Sequence, residues 1–184
     1  MSSQSATVPE LPAALSLGLR PLPLAPLSMA LKILVRSAVH RHPAMFARLG
    51  DQAGKRFVID PTDLPFVVVM TPRLDDPEIE AVRRGEEPAA DARIAGPLAG
   101  LVGLVHGNYD GDALFFSRDL SVEGDMSAVV ALRNALDDAE IDLVAEAAAV
   151  LGPLANPAER VGRIAAGVAE RITGIAFART RSEP

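Results

Sequence analysis

The sequence predicts a single α+β domain with additional helices at both ends. At 184 residues, the chain has the length of one compact domain. Near its centre, short runs of Phe, Val and Ile lie between turn-forming residues, a pattern that is typical of strands. On both sides of these runs, apolar residues recur every three to four positions, the spacing of an amphipathic helix.

Composition and charge exclude several functional classes. The chain is 49% hydrophobic and 23% charged, which is typical of a globular protein and not of a disordered one. It has no cysteine, so disulfides, thiolate metal sites and a cysteine nucleophile are excluded. The net charge of -6 argues against nucleic-acid binding. The first 58 residues nevertheless carry seven basic and only two acidic residues, which favours an anionic partner at this end, such as a membrane surface.

The N-terminal part is predicted to be a tail, residues 1–18, followed by amphipathic helices over residues 19–50. The first helix begins at Pro26 and ends before Pro43, and a shorter one runs from Pro43 to Leu49. On the first helix an apolar stripe adjoins a basic one, so we predict that this helix contacts a membrane. The residues predicted for that contact are Leu27, Leu31, Lys32, Leu34, Val35, Arg36 and Arg41. Ordinary packing of the helix on the domain is the alternative.

A hairpin is predicted at the centre, with strands Phe57–Asp60 and Leu64–Met70. The second strand has no polar alternation, so both of its faces should be covered by apolar groups. Residues 71–90 contain three prolines and a dense run of charges. We interpret them as an exposed insertion that is partly helical around Pro77–Arg84.

The next segments alternate between strand and helix. A short strand is predicted at Asp91–Ala95, and an apolar helix with a stripe of glycines at Pro97–Gly107. This helix is either packed inside the core or faces an apolar body that is not protein. A strand at Leu120–Glu123 then leads to Asp125, which can cap a helix over Met126–Asp137.

No catalytic motif or complete metal site is present in the sequence. His40 and His42 lack the further ligands that a zinc site requires. The segment that starts at Asn108 resembles a calcium loop at its first positions only, because it lacks the glycine and the bidentate glutamate that follow in such loops. We therefore predict no metal, no cofactor and no enzymatic activity. An enzyme that uses Asp110 and Asp112, or the histidines, is a rival hypothesis.

The order of these elements resembles the sterol carrier protein type two (SCP2) domain. The resemblance runs from about Leu31 to Asp138 and includes the strand-to-helix element that ends in Val122-Glu123-Gly124-Asp125. It implies a five-stranded, largely antiparallel sheet that is packed with helices around an apolar tunnel. The domain core is accordingly assigned to residues 51–138, with C-terminal helices over residues 139–184.

This resemblance also implies a non-catalytic lipid carrier. Residues Leu19–Pro23 and Leu114–Asp125 are similar to a group of bacterial accessory factors in oxygen-independent ubiquinone biosynthesis. That similarity implies binding of isoprenoid quinone intermediates or phospholipids and their presentation to iron–sulfur hydroxylating partner proteins. The absence of a signal peptide or a long apolar span predicts a cytoplasmic protein that associates peripherally with the inner membrane. A homodimer is left open, and a protein-interaction scaffold of a membrane-associated complex is the alternative.

Two sets of residues are predicted for the lipid. The residues predicted to line the tunnel are Val67, Val69, Leu98, Leu101, Leu104, Phe115, Phe116 and Val122. The candidates for the mouth of the tunnel, where a polar head group would bind, are Tyr109, Ser117 and Arg118.

Overall fold

The computed structural model describes residues 17, 19–21, 23–106 and 120–139, without the side chains of 105, 106, 138 and 139. The N-terminal elements are helix α1 (Ala25–Arg41), helix α2 (Pro43–Arg48) and a 3₁₀ helix (Gly50–Gly54). Strands β1 (Phe57–Pro61), β2 (Phe66–Thr71), β3 (Glu78–Arg83) and β4 (Ala92–Gly96) follow, and then helix α3 (Leu98–His106), strand β5 (Ser121–Gly124) and helix α4 (Met126–Ala139). Within these ranges, no helix combines the length and the hydrophobicity that are needed to cross a bilayer. The predicted C-terminal helices beyond residue 139 lie outside the described residues.

The two N-terminal helices meet at His42. Helix α1 has a proline in its first turn, where the missing N–H costs no hydrogen bond. It ends at Arg41 because the ring of Pro43 disfavours helical geometry in the residue before it, and His42 has φ -124° and ψ 50°. Pro43 then starts α2. The predicted helix boundaries are confirmed to within a residue.

The five strands form one sheet in the order β3-β2-β1-β4-β5. The predicted hairpin is confirmed, since β1 and β2 are antiparallel with Phe57 opposite Met70. Strand β4 runs parallel to β1 and places Ala92 next to Phe57. Because the β2–β3 and β4–β5 pairs are antiparallel, the sheet is largely antiparallel, as the resemblance implied.

Strand β3 overturns the prediction for residues 71–90. This segment is not simply an exposed insertion with a helical part, because Glu78–Arg83 forms the edge strand and pairs with β2 along its whole length. Ile79 and Ala81 are buried while Glu78 and Glu80 are exposed. The charges therefore follow the period of two that a strand requires, with one face covered and the other in water.

The two faces of the sheet are covered differently. Phe57 and Ile94 are buried in the main core cluster, which includes residues of all four helices. We call this the inner face. On the outer face, Val58, Val67 and Val69 form a second, smaller buried cluster. Both faces of β2 are therefore covered, as its uninterrupted apolar run predicted.

An ion-pair network connects the segment after β3 to the outer face of the sheet. The carboxylate of Asp60, which is only 3% exposed, pairs with Arg93 and, at 2.6 Å, with Arg84. Arg93 also pairs with Glu87 at 3.0 Å. A backbone hydrogen bond within its own segment, assisted by Arg93, lowers the pKa of Glu87. Arg84 further donates hydrogen bonds to the carbonyls of Pro61 and Leu64 at 3.0 and 2.9 Å. We interpret this network as structural, since each charge has a partner of opposite sign within it.

The corner between β5 and α4 depends on two adjacent residues. Gly124 has φ +85°, a conformation that residues with a Cβ rarely adopt. Asp125 caps α4 as predicted, because its Oδ1 accepts hydrogen bonds from the N–H groups of Ser127 (3.0 Å) and Ala128 (3.1 Å). Bonds from the Ser127 hydroxyl and the Ala128 N–H, together with Lys55, lower the pKa of Asp125 to about 2.

Candidate functional site

An apolar cavity of about 240 Å³ lies between the inner face of the sheet and the four helices. The sheet side contributes Ile59, Met70, Pro72, Ile79 and Ile94. The helices, together with the residue that follows α2, contribute Leu31, Leu34, Val35, Ala38, Met45, Phe46, Leu49, Leu101, Leu104, Leu132 and Leu136. Among the described residues, none with a polar or charged side chain lines this cavity.

Strand and helix periodicity together explain this lining. Ile59 and Ile94 are direct neighbours on β1 and β4, so both side chains point to the inner face. Leu101 and Leu104 are one turn apart on α3 and therefore lie on the same side of that helix. The wall thus combines aliphatic side chains from elements that are distant in sequence.

Such a cavity suits a hydrocarbon and offers little to water. Water needs two to four polar partners in a buried site, and this lining supplies none from the described side chains. Apolar cavities of about 150 Å³ in other proteins stay dry and accept a molecule such as benzene. The volume of about 240 Å³ is nevertheless below the roughly 300–1,000 Å³ of most ligand pockets, so it accommodates a segment of a long chain.

The structure brings only part of the predicted tunnel lining together at this cavity. Leu101 and Leu104 line it. Leu98 and Val122 pack against the core cluster but do not border the cavity. Val67 and Val69 lie on the outer face, so their predicted place in the lining is corrected. The physical reason is the alternation along β2, which turns Met70 towards the cavity and its neighbour Val69 away from it.

The remaining predicted lipid contacts cannot be placed against the cavity. The predicted lining residues Phe115 and Phe116 and the mouth residues Tyr109, Ser117 and Arg118 lie outside the described residues.

The apolar side of helix α1, which was predicted to contact a membrane, lies against the cavity. Leu31, Leu34 and Val35 line the cavity, which corrects their assignment as membrane contacts. Leu27 is half-buried, while Lys32, Arg36 and Arg41 are exposed. The apolar side chains that α1 exposes are instead Met29, at 66%, and Ile33, at 46%. These two lie one turn apart, next to Lys32 and Arg36 and on a helix that has no acidic residue.

Sequence reasoning missed much of the lining. Met45, Phe46 and Leu49 were assigned to a helix without a role, although their spacing already marked one apolar side. Ile79 was missed because the charges around it dominated the interpretation of residues 71–90. Within the described residues there is also no cluster of side chains that could hold a metal ion.

The fold and the cavity define an α+β lipid-binding domain, in which a sheet and its helices surround a hydrocarbon-sized space. The sequence model of the SCP-2 sterol transfer family matches residues 36–137, which is more than half of the chain. The chain belongs to this family, whose members are generally lipid carriers and not enzymes. No curated protein matches the chain.

One solved structure with a TM-score above 0.5 supports the same fold. A protein described as "UbiJ-SCP2 Ubiquinone synthesis protein" is 20% identical, with a TM-score of 0.52 over 65% of this chain and 96% of its own. Sterol carrier protein 2 from Yarrowia lipolytica is 14% identical, with a TM-score of 0.43 over 58% of this chain and 87% of its own. A conserved protein from Thermus thermophilus, described as possibly a sterol carrier protein, is 17% identical, with a TM-score of 0.44 over 66% of this chain and 86% of its own.

Proposed function

We propose that this protein is a non-catalytic accessory factor in ubiquinone biosynthesis. It binds isoprenoid quinone intermediates or phospholipids and presents them to iron–sulfur hydroxylating partner proteins. The observation that carries the lipid-binding part is the cavity, whose described lining consists only of aliphatic, aromatic and thioether side chains and proline. The biosynthetic context is supported by the sequence resemblance and by the description of the structurally similar protein.

The energetics suit a ligand that is recognised mainly by its hydrocarbon part. Burying a methylene group contributes about 0.8 kcal/mol, so several carbons of a prenyl or acyl chain suffice for binding without any polar contact. The lining supplies that apolar surface from five elements of the fold, the sheet and all four helices. Chain length and flexibility, more than head-group chemistry, therefore decide what this cavity accepts.

A lipid inventory with two matched tryptophan variants tests this function. Leu132 lines the cavity, whereas Val130 on the same helix is 49% exposed. Leu132→Trp should place a ring in the cavity and lower the amount of extractable lipid, while Val130→Trp should leave it unchanged. The measurement is mass spectrometry of organic extracts, made after incubation with vesicles that contain ubiquinone and phosphatidylglycerol. Wild-type protein without lipid would contradict the function, and phospholipid without quinone would restrict it to phospholipids.

Membrane contact is proposed for the exposed side of α1. Met29 and Ile33 can insert among lipids while Lys32 and Arg36 lie close to anionic head groups, each cation contributing about 1 kcal/mol. We further propose that this contact is with the cytoplasmic side of the inner membrane. Met29→Asp should reduce co-flotation with phosphatidylglycerol vesicles, whereas Met126→Asp, at a 56% exposed position on α4, should not. Equal losses in both variants would exclude α1 as the contact.

A further inference from the structure

The contact between α1 and β3 separates the cavity from a polar groove on the outside of the protein. We call this contact the α1–β3 seam. The groove has a volume of about 350 Å³, and Lys32, Arg36, Ile79 and Glu80 are among its lining residues. Ile79 also lines the cavity. Ile79 therefore borders both the outside groove and the apolar cavity.

Ser28 holds α1 against the edge of the sheet. Its hydroxyl oxygen accepts a hydrogen bond from the N–H of Ala81 at 3.0 Å and donates one to the carbonyl of the same residue at 3.4 Å. Strand β3 is the edge strand on this side, so these backbone groups point away from β2. The hydroxyl of Ser28 thus takes the place of a neighbouring strand at this one position.

The other end of α1 is its junction with α2. His42 is the single residue between α1 and α2, and its backbone is not helical. Ser28 lies about four helical turns from this residue. A rotation at His42 would therefore displace Ser28 further than it displaces the residues near the junction. It would carry Leu31, Leu34 and Val35 away from the cavity as one unit.

We propose that the α1–β3 seam is the gate through which a hydrocarbon chain reaches the cavity, with Ser28 as its latch and His42 as its hinge. The inference rests on the proposed lipid-binding function. A cavity of about 240 Å³ takes only a segment of a polyprenyl or diacyl lipid, and movement of α1 away from β3 would let that segment enter while the rest of the molecule stays outside. The polar end then stays in the groove, where Lys32, Arg36 and Glu80 offer charges of both signs.

A reversible cross-link tests the gate. The chain has no cysteine, so Ser28→Cys with Ala81→Cys introduces the only pair. The contact of 3.0 Å places the two Cα atoms within roughly 7 Å, near the upper end of the distances that disulfides span. The assay follows transfer of a pyrene-labelled phosphatidylcholine from vesicles of phosphatidylglycerol and phosphatidylcholine. The oxidised double variant should transfer this lipid at least about tenfold more slowly than the same protein after reduction.

The outcomes separate the gate from the lipid-binding function. Equal rates before and after reduction would overturn the gate while leaving lipid binding intact. If the cysteines do not cross-link, the Ser28→Ala variant described next tests the gate without a disulfide. If the reduced variant and the wild type both fail to take up the lipid, the proposed function fails first.

A second variant tests the latch without a cross-link. Ser28→Ala removes both hydrogen bonds to Ala81 and should accelerate transfer about fivefold, the effect of one hydrogen bond of typical net strength. Ser37→Ala on the same helix is the control and should leave the rate unchanged. A rate for Ser28→Ala at or below that of the wild type would overturn the role of Ser28.

Discussion

Replacing Ala38 with leucine should stabilise the lipid-free protein and weaken its lipid binding at the same time. Ala38 lies on α1 and borders the cavity, so a longer side chain at this position extends into empty space. Leucine adds three carbons, which contribute at most about 2.4 kcal/mol when they are buried. Ordering the larger side chain costs about 0.5–1 kcal/mol. The net gain in the free energy of unfolding is therefore about 1.5 kcal/mol.

The sign of this change distinguishes a cavity from a filled core. In a closely packed interior, the same substitution would force neighbouring side chains apart and cost about 1–3 kcal/mol. Ala128 provides the matched control, because it is fully buried in the core cluster and does not border the cavity. Ala128→Leu should therefore destabilise the protein.

Urea unfolding of the three lipid-free proteins measures the effect. Ala38→Leu should raise the midpoint and Ala128→Leu should lower it, with little change in the slope of either transition. Lipid binding to Ala38→Leu, followed with the same vesicles as above, should fall below that of the wild type. If both leucine variants are destabilised alike, the interior beside Ala38 is filled and no cavity is available there.

Two further predictions concern the corner that connects β5 to α4. Gly85, which follows β3 and lies outside this corner, also has a positive φ but open space around it, so Gly85→Ala serves as the control and should lower the free energy of unfolding by about 1–2 kcal/mol. A Cβ on Gly124 would lie 2.3 Å from the carbonyl oxygen of Asp91. Gly124→Ala should therefore lower the free energy of unfolding by about 1–3 kcal/mol more than Gly85→Ala does. Equal urea midpoints for these two variants would contradict this. The lowered pKa of Asp125 means that its charge stabilises the fold above about pH 3.8 and that this stabilisation is lost as the pH falls through about 2. Stability should then fall less steeply for Asp125→Asn than for the wild type in this range, and parallel pH profiles would contradict the assignment.

Local patterns predicted most of the secondary structure. The prolines at positions 26 and 43 set the limits of α1, and Asp125 marked the start of α4. Strand β3 was missed because its acidic residues suggested a solvated surface, although Ile79 and Ala81 already alternate with them. In this segment the alternation of apolar and charged residues predicted the secondary structure better than the number of charges did.

The site was harder to predict because the direction in which a side chain points within the fold depends on tertiary structure. A run of valines shows that both faces of β2 are covered, but it does not show which face borders a cavity, and Val67 was assigned to the wrong one. The stripe through Leu31 and Leu34 likewise shows that α1 is amphipathic without showing what it covers. It covers the protein's own cavity, and a smaller exposed pair, Met29 and Ile33, is left for an external contact.

Nuclear Overhauser effects between a bound lipid and the protein's methyl groups show which side chains the lipid contacts. The protein would be deuterated except for its Ile, Leu and Val methyls and loaded with an unlabelled phospholipid. We expect contacts from the lipid chain to Ile59, Ile94, Leu101 and Leu104, and none to Val67 on the outer face. Contacts to Val67, or none to the four cavity residues in a protein that has bound the lipid, would contradict this expectation.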